Sequence, residues 1–116
     1  MIHKMTRPDT LPGTTLCLTL EDGSRAYITV NEQDGQPVEV FVRYDDPKLY
    51  EWITLATVFI TRMLRDGNTL DAIAREMQEI FSPQGGYHAS GEQHTSIVAH
   101  IGKVLEDYCN KEKVAA

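Results

Sequence analysis

Leu16, Leu18 and Leu20 alternate with Cys17 and Thr19, the period-two pattern of a strand with one buried face. Asp22-Gly23 follows, two residues that tolerate positive φ and predict a hairpin turn. Ala26, Ile28 and Val30 then alternate with Tyr27 and Thr29, which predicts a second strand. Asn31–Pro37 contains another turn signal, Asp34-Gly35. Beyond it Val38, Val40 and Val42 alternate with Glu39, Phe41 and Arg43, a third strand whose valines point inward. Short turns between three such runs predict an antiparallel meander with one apolar face for helices to cover.

The period changes after Tyr44. Asp45-Asp46-Pro47 predicts a helix start, with a capping carboxylate and a proline in the first turn, and Gly67 predicts its end. Leu49, Trp52, Ile53, Ala56, Phe59, Ile60, Met63 and Leu64 form its apolar stripe, and Leu55 and Val58 widen it. So broad a stripe predicts burial on two sides, by the sheet and by other helices or a second subunit. A second helix, capped by Asn68 or Thr69, carries Leu70, Ile73, Ala74, Met77 and Ile80. A loop is expected from Ser82 to Gln93. The third helix repeats apolar residues at Ile97, Val98, Ile101, Val104, Leu105 and Tyr108. The predicted fold class is α+β: a three-stranded antiparallel meander followed by three helices packed on one face, in the order βββααα.

With 116 residues the chain has room for one domain. The expected organisation is an N-terminal arm over residues 1–12, a single domain over 13–110 and a frayed tail over 111–116. The net charge of −6 is spread over both halves of the chain. No basic block exists to attract a nucleic acid polymer. Neither a membrane span nor a signal peptide is expected, and the predicted location is the cytoplasm. Cys17 and Cys109 match no metal or redox spacing and are expected to be buried free thiols.

Motifs for nucleophilic catalysis, P-loop phosphate binding, zinc proteolysis and dinucleotide binding are all missing, so no catalytic residue and no enzymatic activity are expected. The stretch from Ser82 to Ser96 is long for a loop in a small domain and holds Gln84, Gly85, Gly86, Tyr87, His88, His94, Thr95 and Ser96. Its glycines free backbone N–H groups, and it runs into a helix N-terminus, an arrangement suited to a phosphate or carboxylate. Those eight residues are the candidate ligand-binding set, with Tyr87 available to stack on a base. His88, His94 and His100 recur at six-residue spacing, which on a helix turns by roughly 240° and separates the rings. His100 falls opposite Ile97, Ile101 and Val104, so surface histidines are expected, with no metal and no cofactor. Asp45, Asp46 and Glu51 read as helix-start carboxylates.

Five segments in order carry a family resemblance: Leu11-Pro12-Gly13-Thr14, Ile28-Thr29-Val30-Asn31, Pro37-Val38-Glu39-Val40-Phe41-Val42, the run Thr61–Gly67 into Leu70–Met77, and Gly85-Gly86 with Ser96–Glu106. Together they resemble the TSCPD domain, found at the C-terminal end of adenosylcobalamin-dependent ribonucleotide reductases and in small stand-alone relatives. The likeness covers residues 7 to 108. The reductase barrel is absent and Cys109 has no neighbouring cysteine, so radical chemistry, cobalamin and thiol relay do not carry over.

The resemblance implies a non-catalytic accessory or regulatory module acting by contact with a reductase-type enzyme or with itself. The alternative is a stand-alone oligomeric protein, of a kind a phage could encode, that sequesters a small phosphorylated nucleotide-type ligand through residues 82–96. In either case the breadth of the first helix's apolar stripe predicts a homo-oligomer, with a dimer favoured.

Overall fold

Alternating side chains build β1 (Gly13–Thr19), β2 (Arg25–Gln33) and β3 (Gln36–Arg43), joined in the order β1-β2-β3 in one antiparallel sheet. Three helices follow, α1 (Tyr50–Arg65), α2 (Leu70–Met77) and α3 (Ile97–Ala115). Between α2 and α3 lies a two-stranded sheet of β4 (Tyr87–Ala89) and β5 (Glu92–His94). The computed structural model describes residues 6–20, 22–89 and 91–115, and side chains as far as Lys111. Residues 1–5 of the expected arm and Ala116 of the expected tail lie outside that set. The chain divides into two compact units: residues up to Cys17 with Ala26–Thr69, and Leu18–Arg25 with Leu70 onward.

In the first unit Ala26, Ile28, Val30, Val38 and Val40 are buried, as the alternation predicts. Asp34 and Gly35 both take positive φ, the two-residue turn whose twist matches the strands it joins. The register of β2 against β3 slips between Asn31 and Glu32, so Asn31 faces Glu39 while Glu32 faces Pro37. The bulge leaves Val38 as the extra residue of β3, and pairing is regular from Glu39 onward; Val38, Glu39 and Val40 are all buried. Glu39 pairs in register with Asn31 on the face expected to meet solvent, yet it is buried.

Helix α1 packs on β3 and buries Ile53, Thr57, Ile60 and Leu64. It begins at Tyr50, later than the Asp45-Asp46-Pro47 signal suggests, with Leu49 as a cap that makes no side-chain hydrogen bond. Asp46 instead closes the turn before the helix: its carboxylate accepts from the Lys48 N–H and its carbonyl from the N–H groups of Leu49 and Tyr50. The other end agrees with the sequence. Gly67 N–H reaches the Leu64 carbonyl and Asn68 N–H the Met63 carbonyl, a Schellman closure with Gly67 at φ +100°. The wide apolar stripe is buried on one side only. Trp52, Leu55, Val58, Phe59 and Met63 are exposed, Trp52 at 70%.

In the second unit α2 packs on α3, burying Leu70, Ile73, Ala74 and Met77 against a face that includes Ile101 and Leu105. Gly102 sits at the crossing, where a methyl group would meet the Ala74 carbonyl at 2.7 Å and Met77 Cβ at 2.8 Å. Ile80 falls beyond the end of α2 and is exposed rather than part of its buried stripe. Ile97, Val98 and Val104 are half-buried. The helical backbone of α3 continues to Ala115, past the point where the sequence predicts fraying. Cys17 is exposed and Cys109 half-buried, so neither is the buried thiol expected. Among the described residues no helix is long and apolar enough to cross a membrane.

Candidate functional site

The segment expected as a loop folds into the β4–β5 hairpin, with Tyr87 opposite His94, His88 opposite Gln93 and Ala89 opposite Glu92. Gly86 lies so close to β5 that an added Cβ would collide with the His94 carbonyl, so its lack of a side chain serves strand contact. Gly85 takes φ +95° in a turn where its N–H donates to the Ser82 carbonyl and the Gln84 N–H to the Ser82 hydroxyl. Alternation along β4 buries Tyr87 and Ala89 and exposes His88.

Ser96 is the N-cap of α3. Its hydroxyl accepts from the Ala99 N–H at 2.9 Å and donates to the Ile80 carbonyl at 2.6 Å. Thr95 donates to the same carbonyl at 3.1 Å, and the Ser82 N–H bonds the Thr95 carbonyl. The polar groups at this helix start thus tie the hairpin back to the end of α2.

Two of the three spaced histidines come together, contrary to the helical-face argument. His94 lies on β5 rather than on the helix, and its ring stacks on that of His100 with centroids 3.6 Å apart and planes 11° from parallel. Both are buried, and Tyr87 Oη shares a 2.7 Å hydrogen bond with His100 Nδ1. Neither is the surface residue expected, because the hairpin covers the flank of α3 that the sequence leaves polar. Burial is the main cause that holds His100 below its ordinary pKa, and the charge of His94 adds to it, while Glu92 acts in the opposite sense. Tyr87 is packed against both rings, with its centroid 5.6 Å from His94 and 5.7 Å from His100. The Tyr87 ring is buried within the chain. His88 projects from the other side of β4, so the three histidines do not converge.

A second cluster, which the sequence reading missed, gathers on Glu39 in the first unit. Arg7 Nε and Arg65 Nη2 each donate to Glu39 Oε2 at 2.7 Å, and Asn31 Nδ2 donates to Oε1 at 3.1 Å. The Glu39 side chain is only 4% exposed, whereas the two arginine side chains are about two-fifths exposed. The hydrogen bond from Arg7, aided by Asn31 and the charge of Arg65, holds the Glu39 carboxyl below its ordinary pKa against the cost of burial. Asn31 in turn rests on Gly13, where a Cβ would clash with its Oδ1. Gly13, Asn31, Glu39 and Arg65 come from four of the five segments that carry the family resemblance. A lone carboxylate between valines was the available signal. Its partners lie 32 and 26 residues away, beyond the reach of local pattern.

The arrangement accounts for a folded scaffold with two locked polar clusters and an exposed apolar helix face. Comparison with curated proteins and with solved structures finds no match. Comparison with family models matches the TSCPD domain over residues 3–109, nearly the whole chain. The chain therefore belongs to the TSCPD domain family.

Proposed function

We propose that this protein is a non-catalytic accessory or regulatory module that acts by protein contact in the setting of a ribonucleotide reductase-type enzyme. The observation that carries the reading is the family match over residues 3–109, since this domain accompanies a reductase chain in the proteins it resembles. The geometry of residues 82–96 supports contact over ligand capture. Ser96 caps α3, Thr95 and Ser96 hold Ile80, Tyr87 and His94 pack on His100, and Gly86 is filled by β5. The exposed apolar residues of α1 are the kind of surface that protein partners cover.

Affinity purification of the tagged chain from its native host tests the proposal. A reductase-type enzyme is expected among the retained proteins, and its turnover is expected to change when the purified chain is added. Retention of no such enzyme, with unchanged turnover, refutes it. Heat released on titration with a nucleotide would instead favour the ligand-sequestering alternative.

A further inference from the structure

Trp52, Leu55, Phe59 and Met63 lie on the side of α1 opposite its buried residues Ile53, Thr57, Ile60 and Leu64. At about 100° per residue, the four exposed side chains fall within roughly a quarter turn of one another. Glu51 and Arg62 share one border of that stripe, and Trp52 and Met63 share the other.

The stripe has a symmetry of its own. About a two-fold axis at Thr57, running a second α1 antiparallel to the first brings matching heights together. Leu55 then meets Phe59 of the second copy at the centre. On one border Glu51 meets Arg62 of the second copy, opposite in charge, where Arg62 also pairs with Asp66 of its own chain at 3.3 Å. On the other, Trp52 meets Met63 of the second copy, a favourable sulfur–aromatic contact. Each pairing occurs twice. A two-fold axis keeps each border on the same side in both helices, so all three pairings form together. Antiparallel helices also oppose their dipoles.

We infer that the α1 face is a homodimer interface in which two copies of this chain pair antiparallel through Leu55 and Phe59, flanked by reciprocal Glu51–Arg62 ion pairs. This rests on the protein-contact reading and names one partner for it. The exposed side chains offer on the order of 500 Å² per copy. Two copies together therefore bury on the order of 1,000 Å², about the least that a specific interface requires.

Light scattering coupled to size exclusion, from micromolar to sub-millimolar concentration, tests the inference on the full chain. Wild type is expected to reach the mass of two chains, with the emission of Trp52, the single tryptophan, shifting to the blue as the dimer forms. Phe59→Asp is expected to weaken the dimer on the order of 100-fold, with unchanged circular dichroism because Phe59 is exposed.

The orientation is tested by charge exchange. Glu51 and Arg62 of one chain stand about 16 Å apart along the helix, too far for direct pairing. Glu51→Arg and Arg62→Glu are each expected to weaken the dimer about tenfold, and the double exchange to restore most of the loss. A single-chain mass throughout, a dimer insensitive to Phe59→Asp, or no restoration by the double exchange overturns the inference. A monomer that still retains a reductase overturns only this inference. A dimer that retains none overturns only the reading on which it rests.

Discussion

His94 and His100 lie ring on ring, one from the β4–β5 hairpin and one from the second turn of α3, and so join two elements that the sequence separates. Glu92 and Tyr87 are the other titratable groups that bear on His100. Because the folded-state pKa of His100 lies below its ordinary value of 6.5, the unfolded chain binds the proton more readily. Stability is then full above pH 6.5 and falls as pH drops toward the folded value. Thermal unfolding between pH 5 and 7 is expected to show this loss, and His100→Gln to flatten it. A wild-type midpoint that does not move across the range would refute the assignment.

Glu39 produces a second acid-side loss, at lower pH. Its folded pKa is depressed, so its contribution is complete above about pH 4.5 and disappears as pH falls through the folded value. Glu39→Gln takes the charged acceptor from two partly exposed arginines and is expected to cost about 1–3 kcal/mol near neutral pH. Urea unfolding of the variant, with its midpoint followed down to pH 3, checks both the magnitude and the loss of this limb.

Thr61 stands in for a strand at the open edge of β3. Its hydroxyl accepts from the Val40 N–H at 3.1 Å and donates to the Val40 carbonyl at 3.2 Å. Thr61→Val keeps the shape and removes both bonds, leaving two backbone groups unsatisfied, and is expected to destabilise by about 1–3 kcal/mol. Hydrogen exchange at the Val40 amide should quicken by more than exchange at the neighbouring β2 amides. Equal protection in the variant would mean that the hydroxyl contributes nothing to the edge.

Gly102 sets how closely α3 approaches α2. Gly102→Ala gains about 1 kcal/mol of helix propensity. The added methyl meets the Ala74 carbonyl at 2.7 Å, and this backbone atom gives way only if the helices separate. The overlap is expected to outweigh the gain, for a net loss of about 1–2 kcal/mol by urea unfolding. A stabilised variant would show that the two helices part at little cost.

Much of the scaffold is local and was legible in the chain itself. Alternation set the strands, Asp34-Gly35 supplied the positive-φ turn, and Gly67 ended α1, because each depends on neighbours a few residues away. The spacing of Leu70, Ile73, Ala74 and Met77 likewise chose the face of α2 that is buried. Tertiary structure decided the rest. Glu39 is interior because two distant arginines reach over its carboxylate. His100 is buried because a hairpin read as a loop folds over the polar flank of α3. The α1 stripe is broad in sequence, yet only the packing against β3 separates its buried side, with Ile60 and Leu64, from the exposed side that holds Trp52 and Phe59. Periodicity records which residues share a face. Which faces are covered depends on elements brought together from far along the chain, and no local pattern encodes that.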